Sequence, residues 1–303
     1  MSNIKCSSCL AGSKDQSLRA PYVFGGGDQH AFWECSNCGL VYLNPVLSPD
    51  EESQFYAQEF EKFMETRAKN DRDWSGPEAH VETNQDQVKR RSKFLKDLIR
   101  SGSDILEFGC SSGFMLDYYV SLGANAIGIE PSGGFAEFLA SKNHLVFESL
   151  DDLKSNLPSK KFDLITHFFV LEHIADTAEF IQSQLDLLKS GGRIILEIPC
   201  VLDPLTSIYK IPEFEKFYWS IAHHYYFSPK SISWILDQLD CKYQLIPDQR
   251  YDLSNHLTWS LDGVPGGQGR YDNIFSKETL ESYKKDMIKS GHYDTLFVCI
   301  ENK

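Results

Sequence analysis

The stretch DILEFGCSSG, residues 104–113, decides how this chain reads. Ile105, Leu106 and Phe108 form a short apolar run, long enough for one buried strand. Glu107 lies inside that run, where a charge needs a strong reason. Gly109 and Gly113 bracket Cys110, Ser111 and Ser112, and residues 114–122 continue with helical spacing. The unit is therefore strand, tight turn, helix. Glycine lets the backbone bend sharply and lets a ligand approach closely. The N-terminus of the following helix offers free N–H groups and a partial positive charge.

A glycine turn also occurs for purely structural reasons, so the continuation matters. Residues 126–130, AIGIE, read as a second strand ending in an acid, 23 positions after Glu107. An acid at the tip of the second strand is the device that holds two ribose hydroxyls. The pattern here is E-x-G-x-x-x-G, not the dinucleotide G-x-G-x-x-G, so no pyrophosphate site is read.

These residues resemble the class I S-adenosylmethionine-dependent methyltransferases. ILEFGCSSG is similar to their first motif and IGIEPS to their second. FDLITHFFVLEHIAD (162–176) resembles the fourth-strand motif, and LKSGGRIILEIP (188–199) the turn and fifth strand. Ser111 stands where many members have glycine. The resemblance implies an α/β fold with a Rossmann-like, seven-stranded, mostly parallel sheet, and S-adenosylmethionine as cofactor. It implies a cofactor site built from Glu107, Gly109, Cys110, Ser111, Gly113, Glu130 and Pro131. His167 and Phe168 would edge the same site, and Ser149 and Leu150 would flank the adenine. A helix cap is the plainer reading of residues 149–152. Related methyltransferases often reach the methionine carboxylate with a tyrosine ahead of the domain; Tyr56 is that candidate, with simple packing as its alternative.

Strands alternate with helices from 104 to 198, which independently predicts a parallel sheet with ligands at the strand C-termini. The chain has 303 residues, 42% of them apolar, enough for a proper core. Net charge is −13, and residues 101–200 hold 14 acids against 6 bases. An acidic surface repels phosphate backbones and argues against a nucleic-acid substrate. No apolar run approaches the ~20 residues of a membrane span, and MSNIKCSSCL has no signal-like apolar segment. The expected compartment is the cytosol.

In a reducing compartment, paired cysteines suggest metal more than disulfide. Cys6-x-x-Cys9 and Cys35-x-x-Cys38 match the spacing of two knuckles closing a tetrahedral, structural zinc site. Inert pairs or a disulfide are the alternatives. The intervening loop carries Gly25, Gly26 and Gly27 and can reach toward a substrate, while His30 reads as a surface residue. Cys110, Cys200, Cys241 and Cys299 read as small buried apolar residues.

The expected organisation is a zinc ribbon over 1–45, a helical lid or linker over 46–85, and a methyltransferase domain over 86–303 with an insertion at about 250–292. Ser48-Pro49-Asp50-Glu51 predicts a capped helix start. Residues 218–229, YWSIAHHYYFSP, place two histidines in an aromatic loop before a helix. A histidine titrates near neutrality and can take a proton from a hydroxyl or a carbon acid. The segment resembles the His-x-x-Tyr-Phe-Ser stretch of zinc-bearing deoxysugar C-methyltransferases, with His223 on the family histidine. The usual preceding glutamate is Ala222 here, which leaves a hydroxyl acceptor open. His223 is the candidate base, followed by His173 and His167; the Glu-His-Ile turn holding His173 has a structural reading as well. The insertion is similar to one in methyltransferases of surface-polysaccharide synthesis. There Arg250, Asn255 and His256 either hydrogen-bond a sugar or its phosphate, or tie down their own loop. The expected reaction is methyl transfer to a small molecule, a sugar or nucleotide-linked sugar. The rivals are an RNA methyltransferase that binds through the ribbon, disfavoured by 3 bases and 3 acids in residues 1–45, and a non-catalytic cofactor-binding module.

Overall fold

The computed structural model describes residues 4–55 and 76–303. Two sheets organise them. The smaller joins β1 (Gln16–Ala20), β2 (Ala31–Cys35) and β3 (Val41–Asn44) to a two-residue strand far along the chain. The larger contains β4 (Asp104–Phe108), β5 (Asn125–Ile129), β6 (Leu145–Phe147), β7 (Phe162–Phe168) and β8 (Leu188–Pro199). The strand β9 (Tyr225–Tyr226) completes the small sheet, while β10 (Cys241–Asp248) and β11 (Thr295–Asn302) complete the large one.

The large sheet has seven strands in the order β10-β11-β8-β7-β4-β5-β6. Only β11 runs against its neighbours. This is the expected Rossmann-like arrangement. Central parallel strands are covered on both faces, which explains their continuous apolar runs. Ile105, Leu164, Ile195 and Phe297 meet Leu95, Met115 and Tyr119 on one face. Leu106, Ile165, Ile194 and Val298 meet Leu153, Ile181, Leu185 and Ile232 on the other.

Register places the functional edge. Phe108 pairs with Ile129 on one side and His167 on the other. Gly109 and Glu130 therefore leave the sheet side by side. Ser48 caps its helix as expected: Glu51 N–H donates to Ser48 Oγ, and the Glu51 carboxylate accepts from Ser48 N–H at 2.8 Å. Tyr56 lies outside the described residues.

Two expectations change. His30 is buried, with Nδ1 accepting from Gly27 N–H at 3.0 Å, because its loop folds inward. That loop docks on the body: Phe24 N–H donates to Trp219 O, and Ile221 N–H to Phe24 O. The stretch around Asn255 and His256 is the helix Leu253–Asp262, capped by Asp252. Both side chains are buried there and tied internally, Asn255 to Gly266 O and His256 to Tyr283.

Candidate active site

The turn after β4 needs its glycines. Gly109 has φ +65° and Gly113 φ +75°, a region that favours glycine. A Cβ would stand 2.7 Å from Val170 Cγ2 at the first and 2.3 Å from Leu139 Cδ2 at the second. Ser111 adopts φ +50° between them, a left-handed conformation that favours glycine. Ser111 N–H donates to Glu130 Oε2 at 2.6 Å, and Ser132 N–H to Oε1 at 2.9 Å. Glu130 is thus fixed across the cleft between β4 and β5. Burial pushes its carboxyl up, and the two N–H groups oppose the shift. Each oxygen accepts one bond and keeps further acceptor capacity for hydroxyls.

Glu107 is buried beneath the turn, and burial pushes its carboxyl well up against the attraction of Arg91. Cys110 is buried, its thiol also pushed up by burial. Pro131 is exposed beyond Glu130. Ser149 caps the helix Leu150–Asn156 by accepting from Asp152 N–H, and Glu130 N–H donates to Phe147 O nearby.

A second group forms at the end of β7. One 3-10 turn, Leu171–His173, carries Glu172 and His173. His173 Nδ1 lies 2.7 Å from the carbonyl of Ala222. A carbonyl only accepts, so this nitrogen carries the proton and Nε2 is the basic one in neutral His173. The ring of His223 stands edge-on to it, centroids 4.8 Å apart. Ligand-capable atoms of Glu172, His173 and His223 all lie within 4.8 Å of one another. His224 turns the other way and meets Glu52 at 2.9 Å. His167 is not part of this group. It is fully buried against Phe180, and burial pushes its imidazole down to about 3.

The four cysteines of the N-terminal pairs converge within 4.8 Å of one another. Cys6 and Cys38 sulfurs are 3.6 Å apart, Cys9 and Cys35 3.5 Å. A tetrahedral zinc with bonds of ~2.3 Å separates its sulfurs by about 3.8 Å, so the set fits that ion. The hydrogen bond between Cys6 and Cys38 pulls the Cys6 thiol down and pushes the Cys38 thiol up, as when two sulfurs share one proton.

A profile describing a methyltransferase domain matches residues 80–245, more than half of the chain. The chain belongs to this methyltransferase-domain family. Among curated relatives, a ubiquinone biosynthesis O-methyltransferase of Rhodopseudomonas palustris (strain TIE-1) is 30% identical over 111 residues, 35% of this chain and 43% of that protein. An uncharacterized methyltransferase of Anoxybacillus flavithermus is 32% identical over 99 residues, 32% of this chain and 47% of the relative. The chain thus spans under half the length of the curated relatives it matches. A solved SAM-dependent methyltransferase from Archaeoglobus fulgidus covers 81% of this chain and all of its own, at 18% identity and a TM-score of 0.49.

The sequence did not reveal a buried ionic network beside this candidate site. Arg91 Nε donates to Glu197 Oε2 at 2.8 Å, and its guanidinium lies 4.1 Å from the Phe168 ring centroid. Arg90 reaches the other Glu197 oxygen and Asp248. Burial alone would raise the Glu197 carboxyl, but Arg91 and Arg90 more than offset it and hold it low. The available signal was Glu197 itself, an acid inside the apolar run IILEIP, which demands a cation.

Proposed function

We propose that this methyltransferase domain binds S-adenosylmethionine at the Glu107–Glu130 turn and methylates a hydroxyl of a small sugar-like acceptor, free or nucleotide-linked. S-adenosylmethionine, when bound, supplies an electrophilic methyl group on a sulfonium. Glu130 accepts the ribose hydroxyls, and Gly109 and Gly113 leave room for the methionine end. The observation that carries the acceptor side is the meeting of Glu172, His173 and His223 within 4.8 Å, at the end of the strand next to β4. His223 takes the proton of the acceptor hydroxyl, and His173, oriented by the Ala222 carbonyl, supports it. That carbonyl, not a carboxylate at position 222, is what holds the imidazole. The O-methyltransferase named among the relatives agrees with a hydroxyl acceptor.

The cysteine set holds a structural zinc that supports the loop carrying His223. A cytosolic location belongs to the same proposal, from the cysteine pairs read as a metal site in a reducing compartment; no helix among the described residues is long and apolar enough to cross a membrane. The test is incubation with S-adenosylmethionine and a panel of sugar nucleotides, read by mass spectrometry. One acceptor gaining the mass of a methylene unit supports the proposal. No acceptor gain alongside methylation of RNA would replace it.

A further inference from the structure

Arg250 follows β10 at the edge of the sheet where Glu130, Glu172 and His173 also emerge. Its main-chain N–H donates to Asp294 Oδ1 at 2.9 Å, which fixes the backbone. The guanidinium lies 4.4 Å from the Phe169 ring centroid and 5.1 Å from that of Tyr251. Phe169 itself is held at φ +58°, unusual for an aromatic residue, and this conformation presents the ring under Arg250. The cation is therefore held by stacking and by the attraction of the nearby Glu197, Asp294 and Asp248 carboxylates, with no direct ion pair to any of them.

Its N–H donors are unused. Nε is buried without a hydrogen-bond partner, and the rest of the fork donates to no described residue. The surrounding carboxylates attract the guanidinium but take their hydrogen bonds from other donors. Glu197 accepts from Arg90 and Arg91, and Asp248 from Arg90. Asp294 accepts from Gln249 Nε2, the N–H groups of Arg250 and Tyr251, and the Thr295 hydroxyl. A stacked guanidinium with an open fork suits bidentate oxyanions, carboxylate or phosphate alike. On a chain of net charge −13, such a local cation is what lets an anionic small molecule dock.

We propose that Arg250 is the anion-binding residue of the acceptor pocket, taking a phosphate or carboxylate of the acceptor through its open N–H fork. This deepens the methyltransferase reading and rests on it. Arg250 leaves the sheet on the β10 side, separated from the Glu130 turn by β11, β8 and β7, so the ligand it faces is the acceptor rather than the cofactor.

The experiment is calorimetry on the full chain saturated with S-adenosylhomocysteine, titrated with inorganic pyrophosphate in one arm and malonate in the other. The bound probe tells phosphate from carboxylate. Arg250→Gln is expected to weaken that probe at least about tenfold, the loss of one charge-assisted bond, with S-adenosylhomocysteine affinity unchanged. Arg250→Lys keeps the charge without the fork and is expected to weaken it too; it carries the test if the glutamine variant does not fold. Equal probe affinity in the variants, or no binding of either probe to the wild type, overturns the proposal. So does a loss of S-adenosylhomocysteine affinity in Arg250→Gln, which would assign the fork to the cofactor carboxylate. A wild type that fails to bind S-adenosylhomocysteine removes the methyltransferase reading itself, and this proposal with it.

Discussion

The main-chain N–H of Leu43 donates to the carbonyl of His224 at 2.9 Å. Leu43 belongs to the cysteine ribbon, and His224 is the neighbour of the candidate base. The link continues in register: Val41 pairs with Tyr226 and Tyr42 with Tyr225. Beyond it, His224 N–H donates to Glu172 O. Ser228 Oγ and Lys230 Nζ reach Gly39 O and Ser36 O in the second cysteine knuckle. The loop carrying His223 thus runs straight into β9, the fourth strand of the ribbon sheet, and the ribbon holds it in place.

Zinc removal should therefore act on the reaction and not only on stability. We expect one zinc per chain by elemental analysis of reduced protein. Cys35→Ser should lower the melting temperature, since metal binding is folding free energy for so small a unit. It should also lower turnover by at least about tenfold through misplacement of His223, while S-adenosylhomocysteine affinity stays nearly constant. Equal losses of cofactor affinity and turnover would show the ribbon acting only on global stability.

Glu130→Ala should weaken S-adenosylhomocysteine binding at least about tenfold. A carboxylate accepting hydroxyl hydrogen bonds contributes about 1.5–3 kcal/mol per charge-assisted bond before losses. The same change frees Ser111 N–H and Ser132 N–H, so the turn loosens as well. Calorimetry that finds unchanged affinity takes Glu130 out of the site.

His223→Ala should lower turnover about 10²–10⁴-fold, or roughly 3–5 kcal/mol of barrier, the range of a positioned base. Cofactor affinity should hardly move. His173→Ala should fall in the same range, because the two rings meet at 4.8 Å. His224→Ala should do much less, since that ring faces Glu52. Steady-state assays on the acceptor from the sugar-nucleotide panel check this, and full turnover in His223→Ala would place the base elsewhere.

Stability should fall on mild acidification. Burial pushes His167 down to about 3 and His256 down to about 4, against about 6.5 in an unfolded chain. Between those values the unfolded chain binds the extra protons. Their contribution is therefore complete above about pH 6.5 and is lost as pH falls toward 4. Each histidine should add a slope of about 1 kcal/mol per pH unit near pH 5 to 6. His167→Leu should remove one such share, measured by urea unfolding at several pH values. An unchanged slope would mean that His167 keeps no depressed titration in the fold.

Residues 104–113 already spelled out β4, its turn and the start of the next helix, because strand period, glycine and helix spacing are all local signals. Glu130 was legible for the same reason, as the acid that closes a short apolar run, one residue beyond the end of β5. The four cysteines were legible by spacing alone. The inward turn of His30 was not, since a loop's docking partner, here Trp219 and Ile221, leaves no mark in the loop's own composition. The helix over Asn255 and His256 was hidden because its buried face is mostly polar, Ser254, Asn255, His256 and Thr258 beside a single Trp259, rather than an apolar stripe.

The sequence by itself determined the order of strands and helices, the cofactor-type turn and the cysteine set, since each is written within a few residues or one repeated spacing. Tertiary structure decided what those pieces do together. His173 meets Ala222 across 49 positions, Arg91 meets Glu197 across 106, and Glu52 meets His224 across 172. Such pairs depend on how the sheet brings distant strand ends to one edge, and no local periodicity encodes them. The same folding made a ribbon strand and the loop carrying His223 into neighbours, and set the Arg250 guanidinium beside Phe169 with its Nε buried and unbonded.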